Sequence, residues 1–341
     1  MDKKINLALI GFGKFGKVYF KTIKQNKFFN LNVIFKKNIF NKSKFKTLSK
    51  KNLKKFNIDA AIICTPVKTH YAISKLLIEN GISIILEKPA AETLSQITKL
   101  IKLSKKNNTS IIVNHSDLYN ENFQFLLSKK KQIGKIKFID AKFGKFSKQY
   151  KKKNDLPYND WLPHPLALIF KFVKEIKYLS IISNKIIKKN NSYFQKLVIH
   201  FKSENNIDGR IVFTNFNKEK NRILNVYGEK GIICYDGYNS KNNCIFTNKK
   251  IKLNKLNKTP IQTIIQNLYK VMKKDKFYSD LEYSYKIQKI LLKLKKKIDF
   301  KWNNILFGEV AEWFKAHAWK ACKGEILSWV QIPFSPPLNK L

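Results

Sequence analysis

An apolar run, Ile5–Ile10, leads directly into Gly11-Phe12-Gly13-Lys14-Phe15-Gly16, and this one hexapeptide holds three of the chain's 12 glycines. Each glycine answers a need of phosphate binding. Gly11 permits a tight turn out of a strand, Gly13 lets backbone approach a pyrophosphate, and Gly16 lets the next helix lie close on a sheet. The N-terminus of that helix offers unpaired N–H groups and a positive dipole end. A strand–turn–helix without a ligand also accommodates these glycines. The strand pattern before the motif and the helix-compatible Lys14–Gln25 after it favour the dinucleotide reading, with Phe12, Lys14 and Phe15 as further loop contacts.

The rhythm that follows extends this start. Strand patterns at Leu31–Phe35, Ala60–Cys64, Ile82–Leu86 and Ser110–Val113 alternate with helical ones at His70–Asn80 and around Leu94, Ile97, Leu100 and Ile101. Strands alternating with helices predict an α/β Rossmann unit, a doubly wound parallel sheet, over residues 1–118. From about Gly134 the rhythm changes. Ile136–Phe143, Leu197–Phe201, Arg210–Phe213, Ile223–Val226 and Ile232–Tyr235 read as strands, with a hairpin turn at Gly228-Glu229-Lys230-Gly231 and closing helices at Ile261–Lys273 and Leu281–Lys297. Residues 119–300 therefore read as a second, α+β domain on a largely antiparallel open sheet, serving substrate binding and oligomerisation.

The formal charge of +45 in 341 residues comes from 66 lysines and only two arginines, Arg210 and Arg222. Readers of bases and phosphates favour the bidentate arginine fork, so this ratio argues against specific nucleic-acid binding. Short, scattered runs such as Lys129–Lys131, Lys151–Lys153 and Lys295–Lys297 read as solvated faces. A positive field can still steer an anionic substrate. Cys64, Cys234, Cys244 and Cys322 show no metal-ligand spacing, and Cys64 reads as a buried free thiol, so no metal is expected. The N-terminus runs straight into the first strand, and no apolar stretch approaches the ~20 residues needed to cross a bilayer, so a cytoplasmic protein without a membrane partner is expected.

Two further motifs carry chemistry. Glu87-Lys88-Pro89 ends the fourth strand, where ligands of open α/β sheets bind, and proline turns the chain away behind the lysine. Asp160-Trp161-Leu162-Pro163-His164-Pro165 spaces an acid and an imidazole four apart, with prolines fixing the backbone around the histidine. Taken singly, Lys88 could be a solvated lysine, His164 a helix-capping residue and Asp160 an N-terminal helix acid.

The glycine fingerprint, Thr65-Pro66 with His70, Glu87-Lys88-Pro89 and Asp160-x-x-x-His164, in that order, resemble the glucose–fructose oxidoreductase/inositol dehydrogenase (Gfo/Idh/MocA) family over about residues 5–300. The Gly228–Gly231 turn and the Tyr278–Leu291 helix belong to the same likeness. The resemblance implies that Lys88, Asp160 and His164 are catalytic. It also places Gly11, Gly13, Gly16, Thr65, Pro66, Glu87 and Lys88 beside NAD or NADP, and His115 after Asn114 on the substrate side. His70 lines the cofactor or starts its helix, and His115 reads equally as a loop histidine. The chemistry is coherent on its own terms. His164 takes a hydroxyl proton, Asp160 orients the imidazole or the hydroxyl, and Lys88 hydrogen-bonds the developing alkoxide.

Two positions depart from that pattern. The second strand ends in Phe35-Lys36-Lys37-Asn38, without the acid that favours NAD, so Lys36 and Lys37 are candidate contacts to the 2′-phosphate of NADP. Pro165 stands where relatives often carry an aspartate after the histidine. The expected activity is hydride transfer between nicotinamide and a hydroxyl or keto carbon of a sugar, cyclitol or nucleotide sugar, by a homo-oligomer (dimer or tetramer). The alternatives are an imine or carbonyl reductase, a non-catalytic dinucleotide-binding protein, or a polyanion binder.

From Gly308 the composition shifts, with three of the five tryptophans and a single asparagine in residues 308–341. Back-translation of Gly308-Glu309 and Phe334-Ser335-Pro336 permits complementary stems. Val330-Gln331-Ile332 permits GTT-CAA-ATC, a T-loop, and Ala318-Trp319-Lys320 permits an anticodon loop carrying GGA. The tail therefore resembles a serine tRNA gene read as protein, and His317 and Cys322 are excluded as site residues. Nucleotide sequence lacking those stems would refute this reading, and an amphipathic helix over Val310–Cys322 would replace it. Without the tail the formal charge would be about +44.

Overall fold

The computed structural model describes residues 4–35, 50–151, 156–216, 218–247, 250–252, 258–274 and 277–300. Lys36, Lys37, Cys322 and the tail from Gly308 lie outside them.

Strand β1 (Ile5–Ile10) passes through the glycine turn into α1 (Lys14–Lys24), followed by β2 (Phe29–Phe35), α2 (Lys50–Lys55), β3 (Ala60–Ile63), α3 (Val67–Glu79), β4 (Ser83–Leu86), α4 (Leu94–Lys106) and β5 (Ile111–Val113). The five strands pair in parallel in the order β2-β1-β3-β4-β5. The order reverses direction at β1/β3, and the crevice beyond the carboxyl ends at such a switch point is where ligands of doubly wound sheets bind. Both faces of the sheet are covered, as its unbroken apolar runs require. Leu7, Leu9, Ile62, Ile85 and Ile112 belong to one buried cluster, and Ala8, Ile10, Ala61, Ile63, Ile84 and Leu86 to the other. Helix α4 starts with a capping box in which Thr93 and Gln96 satisfy each other's backbone N–H groups.

A 3-10 turn at Ser116–Tyr119 leads out of β5 into α5 (Glu121–Ser128) and the second domain. There follow β6 (Ile136–Gly144), the short helices α6 (Pro157–Trp161) and α7 (Pro163–Ile169), and then β7 (Ile176–Lys189), β8 (Ser192–Ser203), β9 (Asp208–Thr214), β10 (Asn221–Gly228), β11 (Ile232–Asp236), β12 (Cys244–Phe246) and β13 (Lys250–Lys252). They form one open sheet ordered β13-β12-β11-β10-β6-β9-β8-β7. All neighbours are antiparallel except β6 and β9, so the sheet is mixed at one junction. Strand β7 is absent from the strands expected on sequence. Its signal was the turn: Asn190 and Asn191 adopt φ of 48° and 55°, the left-handed pair that a two-residue hairpin demands and asparagine tolerates.

Helices α8 (Pro260–Lys273) and α9 (Leu281–Phe300) return to the Rossmann layer. Tyr269 stacks on Phe28 with centroids 4.2 Å apart, and the Tyr278 carbonyl accepts from Ile111 N–H at 2.8 Å at the β5 edge. No helix among the described residues is long and apolar enough to cross a membrane.

At that edge Asp280 is half-buried, accepting from Val113 N–H at 2.7 Å and Tyr119 Oη–H at 3.1 Å. Burial pushes its carboxyl up to about 7, against the pull of those donors and of the Lys171 charge. The folded state therefore holds this proton where the unfolded chain releases it near pH 4. The stability it contributes is complete below pH 4 and is lost as pH rises through 7. Asp280→Asn is expected to flatten the slope of Tm against pH between 4 and 8, removing up to about 4 kcal/mol of pH-dependent loss. Parallel slopes for the two proteins would refute the raised Asp280 carboxyl.

Candidate active site

The crevice is built from the loops after β1, β3, β4 and β5. Gly11 has φ +95°, and a Cβ there would stand 2.7 Å from the Cys64 backbone, so only glycine lets this turn lie against the loop after β3. A Cβ on Gly16 would overlap the Gly11 carbonyl oxygen, which is why α1 can start so close to the sheet. At Gly13 a Cβ would meet nothing within 4 Å: the space above it is open. Gly13 caps α1 without a side-chain bond, no acid occupies the first turn, and Lys14 begins the helix. Open space, free N–H groups, a positive dipole end and a cation fit a pyrophosphate. Phe12 packs edge-on against Phe20, whereas Phe15 is 52% exposed.

Pro66 caps α3, and Thr65 Oγ1 accepts from Thr69 Oγ1–H at 2.7 Å. His70 is buried between two loops, with Nδ1 2.8 Å from the Pro89 carbonyl and Nε2 2.8 Å from the Thr65 carbonyl. It ties the Thr65 turn to the Lys88–Pro89 turn. Glu87 is buried too. Asn114 Nδ2–H donates to it at 2.6 Å, and Asn114 Oδ1 has no hydrogen-bond partner among the described residues. Burial raises the Glu87 carboxyl above its ordinary value, against the Asn114 hydrogen bond and the Lys88 charge. His115 is enclosed, its Nε2 3.0 Å from Ser284 Oγ, and burial together with nearby cations depresses it to about 3. Its ring edge meets Tyr283, which makes it part of the packing between β5 and α9.

Lys88, carried beyond the end of β4, reaches across to α6. Its Nζ donates to Asp160 Oδ1 at 2.5 Å and to the Asp160 carbonyl at 3.0 Å. The other carboxylate oxygen accepts from Tyr150 Oη–H at 3.1 Å, and Tyr150 in turn accepts from Trp161 Nε1–H at 3.1 Å. Burial alone would raise the Asp160 carboxyl, but the Lys88 charge and hydrogen bond outweigh it and hold it low. His164 opens α7 between Pro163 and Pro165. Its shorter hydrogen bond, 2.8 Å at Nδ1, goes to Asp117 Oδ2 on the turn after β5, not to Asp160, and Arg222 Nη2 lies 3.4 Å from the same nitrogen. The second Asp117 oxygen faces Tyr235 Oη at 3.3 Å and Arg222 Nε at 3.3 Å. Burial lowers the His164 imidazole against the opposing pull of Asp117, with Lys88 and Arg222 lowering it further, so the ring is neutral near pH 7.

Lys88, Asp160 and His164 thus face one another's charges in one place, beside the glycine loop's crevice. Asp117, Tyr150, Arg222 and Tyr235 join them and were not foreseen. The available signal was Arg222, one of two arginines in a lysine-dominated chain.

A dinucleotide-type Rossmann sheet, with a lysine at the end of β4 facing an acid and an imidazole from a second sheet domain, is a fold and crevice that fit a nicotinamide dinucleotide. Residues 5–115 match the model of an oxidoreductase family with an NAD-binding Rossmann fold, GFO_IDH_MocA. Over this domain the chain is similar to the Gfo/Idh/MocA family. The oxidoreductase YdgJ of Escherichia coli (strain K12) is 29% identical over 99 residues, 28% of this chain and 29% of YdgJ, so the match spans under a third of that relative. Among solved structures, the chain is similar to UDP-N-acetylglucosamine 3-dehydrogenase GnnA of Acidithiobacillus ferrooxidans, with TM-score 0.73, 14% identity, and 86% of this chain and 97% of that one covered. It is also similar to biliverdin reductase of Synechocystis sp. PCC 6803, solved with biliverdin and NADP+, with TM-score 0.64, 14% identity, and 83% and 96% covered. At these identities the likeness is one of fold.

Proposed function

We propose that this chain transfers a hydride between NAD or NADP and a hydroxyl or keto carbon of a sugar, cyclitol or nucleotide sugar. The observation that carries the proposal is the convergence of Lys88, Asp160 and His164 beside the glycine loop. The bound nicotinamide supplies the hydride acceptor or donor. In the oxidative direction, His164 Nε2 takes the hydroxyl proton as the carbon–hydrogen bond gives up its electron pair, and a ketone results. Lys88 Nζ donates a hydrogen bond to the oxygen on which negative charge develops. Asp160 aims that ammonium, and Asn114 offers Oδ1 as a buried acceptor to the bound molecules.

The substrate class is supported by a similar fold that acts on a nucleotide sugar, GnnA. Reduction of a conjugated imine or carbonyl is the second reading, favoured by the likeness to biliverdin reductase. We further place the activity in the cytoplasm, on a homo-oligomer whose two domains divide near residue 118, with no specific nucleic-acid partner.

The first test is thermal unfolding of the full chain with NAD, NADH, NADP and NADPH. A ligand at a hundredfold excess over its Kd stabilises by about 2.7 kcal/mol, which at this size raises Tm by about 5–10 °C. A shift with one pair that persists in high salt identifies the cofactor and excludes polyanion binding, whose affinity collapses with salt. No shift with any of the four overturns the proposal. A panel of polyols, nucleotide sugars and open-chain tetrapyrroles then separates the two substrate readings.

A further inference from the structure

We infer that Asp117 is a positioning residue that fixes the tautomer of His164 from across the domain junction, with Arg222 holding Asp117 ionised. The inference rests on the proposed role of His164 as proton acceptor.

His164 stands where the helix cannot orient it. Pro163 and Pro165 remove the N–H donors on either side, and the position after the imidazole carries no carboxylate. The nearest polar partner of the ring is Asp117, 47 residues earlier in the chain and on the Rossmann side, its Oδ2 2.8 Å from Nδ1, while Arg222 Nη2 stands farther from the same nitrogen, at 3.4 Å. Asp117 is 2% exposed in its side chain. A carboxylate there only accepts, so Nδ1 carries the hydrogen and the lone pair is left on Nε2. None of the described residues hydrogen-bonds Nε2.

The environment of Asp117 keeps it an acceptor. Burial alone would raise its carboxyl, yet the Arg222 guanidinium and the His164 hydrogen bond outweigh this and hold it at about 2. Arg222 lies with Nε 3.3 Å from Oδ1, and its guanidinium sits over the Tyr238 ring at 5.5 Å. Tyr235 Oη–H donates to the same oxygen at 3.3 Å. When Nε2 gains a proton, the imidazolium is therefore paired with a fixed negative charge that does not itself take the proton. The turn after β5 presents Asp117 and α7 presents His164, so the proton-accepting form is assembled by docking of the two domains.

The test is nitrogen NMR of the full chain labelled at its histidines, with the His164 signals assigned through His164→Gln. At pH 7.5 wild-type His164 is expected as the neutral Nδ1–H tautomer. In Asp117→Asn the carboxamide N–H can donate to Nδ1, and the population is expected to invert toward Nε2–H. Arg222→Lys, which retains the charge, is expected to keep the wild-type tautomer. Predominant Nε2–H or imidazolium in the wild type, or an unchanged tautomer in Asp117→Asn, overturns the inference. If Asp117→Asn fails to fold, the wild-type spectrum alone decides. The expected tautomer without stabilisation by any dinucleotide would uphold the Asp117–His164 pairing while overturning the oxidoreductase proposal.

Discussion

Lys88→Ala is expected to lower kcat on the order of 10³-fold while leaving dinucleotide binding in place. The lysine side chain is only 17% exposed, and its ammonium is held by two oxygens of Asp160, the carboxylate at 2.5 Å and the carbonyl at 3.0 Å. A group so held reaches a developing alkoxide without reorganising, and that is where preorganised charge has its largest effect. Alanine removes the donor and leaves Asp160 with Tyr150 as its remaining close donor besides Gln149. The glycine turn lies on another loop and keeps its contacts. Turnover of the substrate found in the panel and Tm with saturating cofactor are to be measured side by side. A loss in kcat smaller than tenfold would remove Lys88 from the chemistry, and a lost cofactor shift would make it a binding residue instead.

Gly11→Ala is expected to destabilise the fold by about 3 kcal/mol and to abolish the cofactor shift. Two effects add at one position. The backbone sits at φ +95°, where an L side chain costs roughly 1–2 kcal/mol, and the new Cβ would stand 2.7 Å from the Cys64 carbonyl, a clash of the kind that costs about 1–3 kcal/mol. Relief requires the loop after β3 to move, and that loop is held by His70 to the Lys88–Pro89 turn. Local strain therefore spreads to the Lys88 turn. Tm is expected to fall by about 6–12 °C. Gly13→Ala, whose Cβ meets no protein atom, is the contrasting variant. It is expected to keep Tm and lose cofactor affinity, because the space it enters is the one assigned to the pyrophosphate. Equal Tm for Gly11→Ala and the wild type would refute the steric argument.

The proton bookkeeping of the site follows from the same geometry. A neutral His164 beside an ionised Asp117 and an ionised Asp160 accepts a proton near neutral pH, and the oxidative rate is expected to fall as pH drops and the imidazole is protonated beforehand.

The residues that a chain declares locally were readable from order alone. Ile5–Ile10 and the glycine turn specify a strand, a turn and a helix start, because side-chain size and φ are properties of single positions. Glu87-Lys88-Pro89 and Asp160-x-x-x-His164 announce themselves because each lies within one turn of chain. Continuous apolar runs specified a sheet covered on both faces. Element ends were less legible: α3 starts at Val67 rather than His70, because Pro66 supplies the cap before the apolar periodicity begins. Strand β7, with its long exposed run, lacks the burial alternation that would mark it, and only the Asn190-Asn191 turn betrays it.

What the tertiary structure alone decided is who partners whom across long separations. Asp160, the acid four residues from His164, pairs with Lys88, 72 residues away, while the imidazole is oriented by Asp117, 47 residues away on the other domain. His115, adjacent in sequence to the crevice, is enclosed by Ser284 and Tyr283 from α9. Charge spacing along a chain specifies which groups are available. It cannot specify pairing, because the distance between two side chains is set by how the sheets and the returning helix dock, and that docking is fixed by burial of apolar surface shared among many residues rather than by the charged groups themselves.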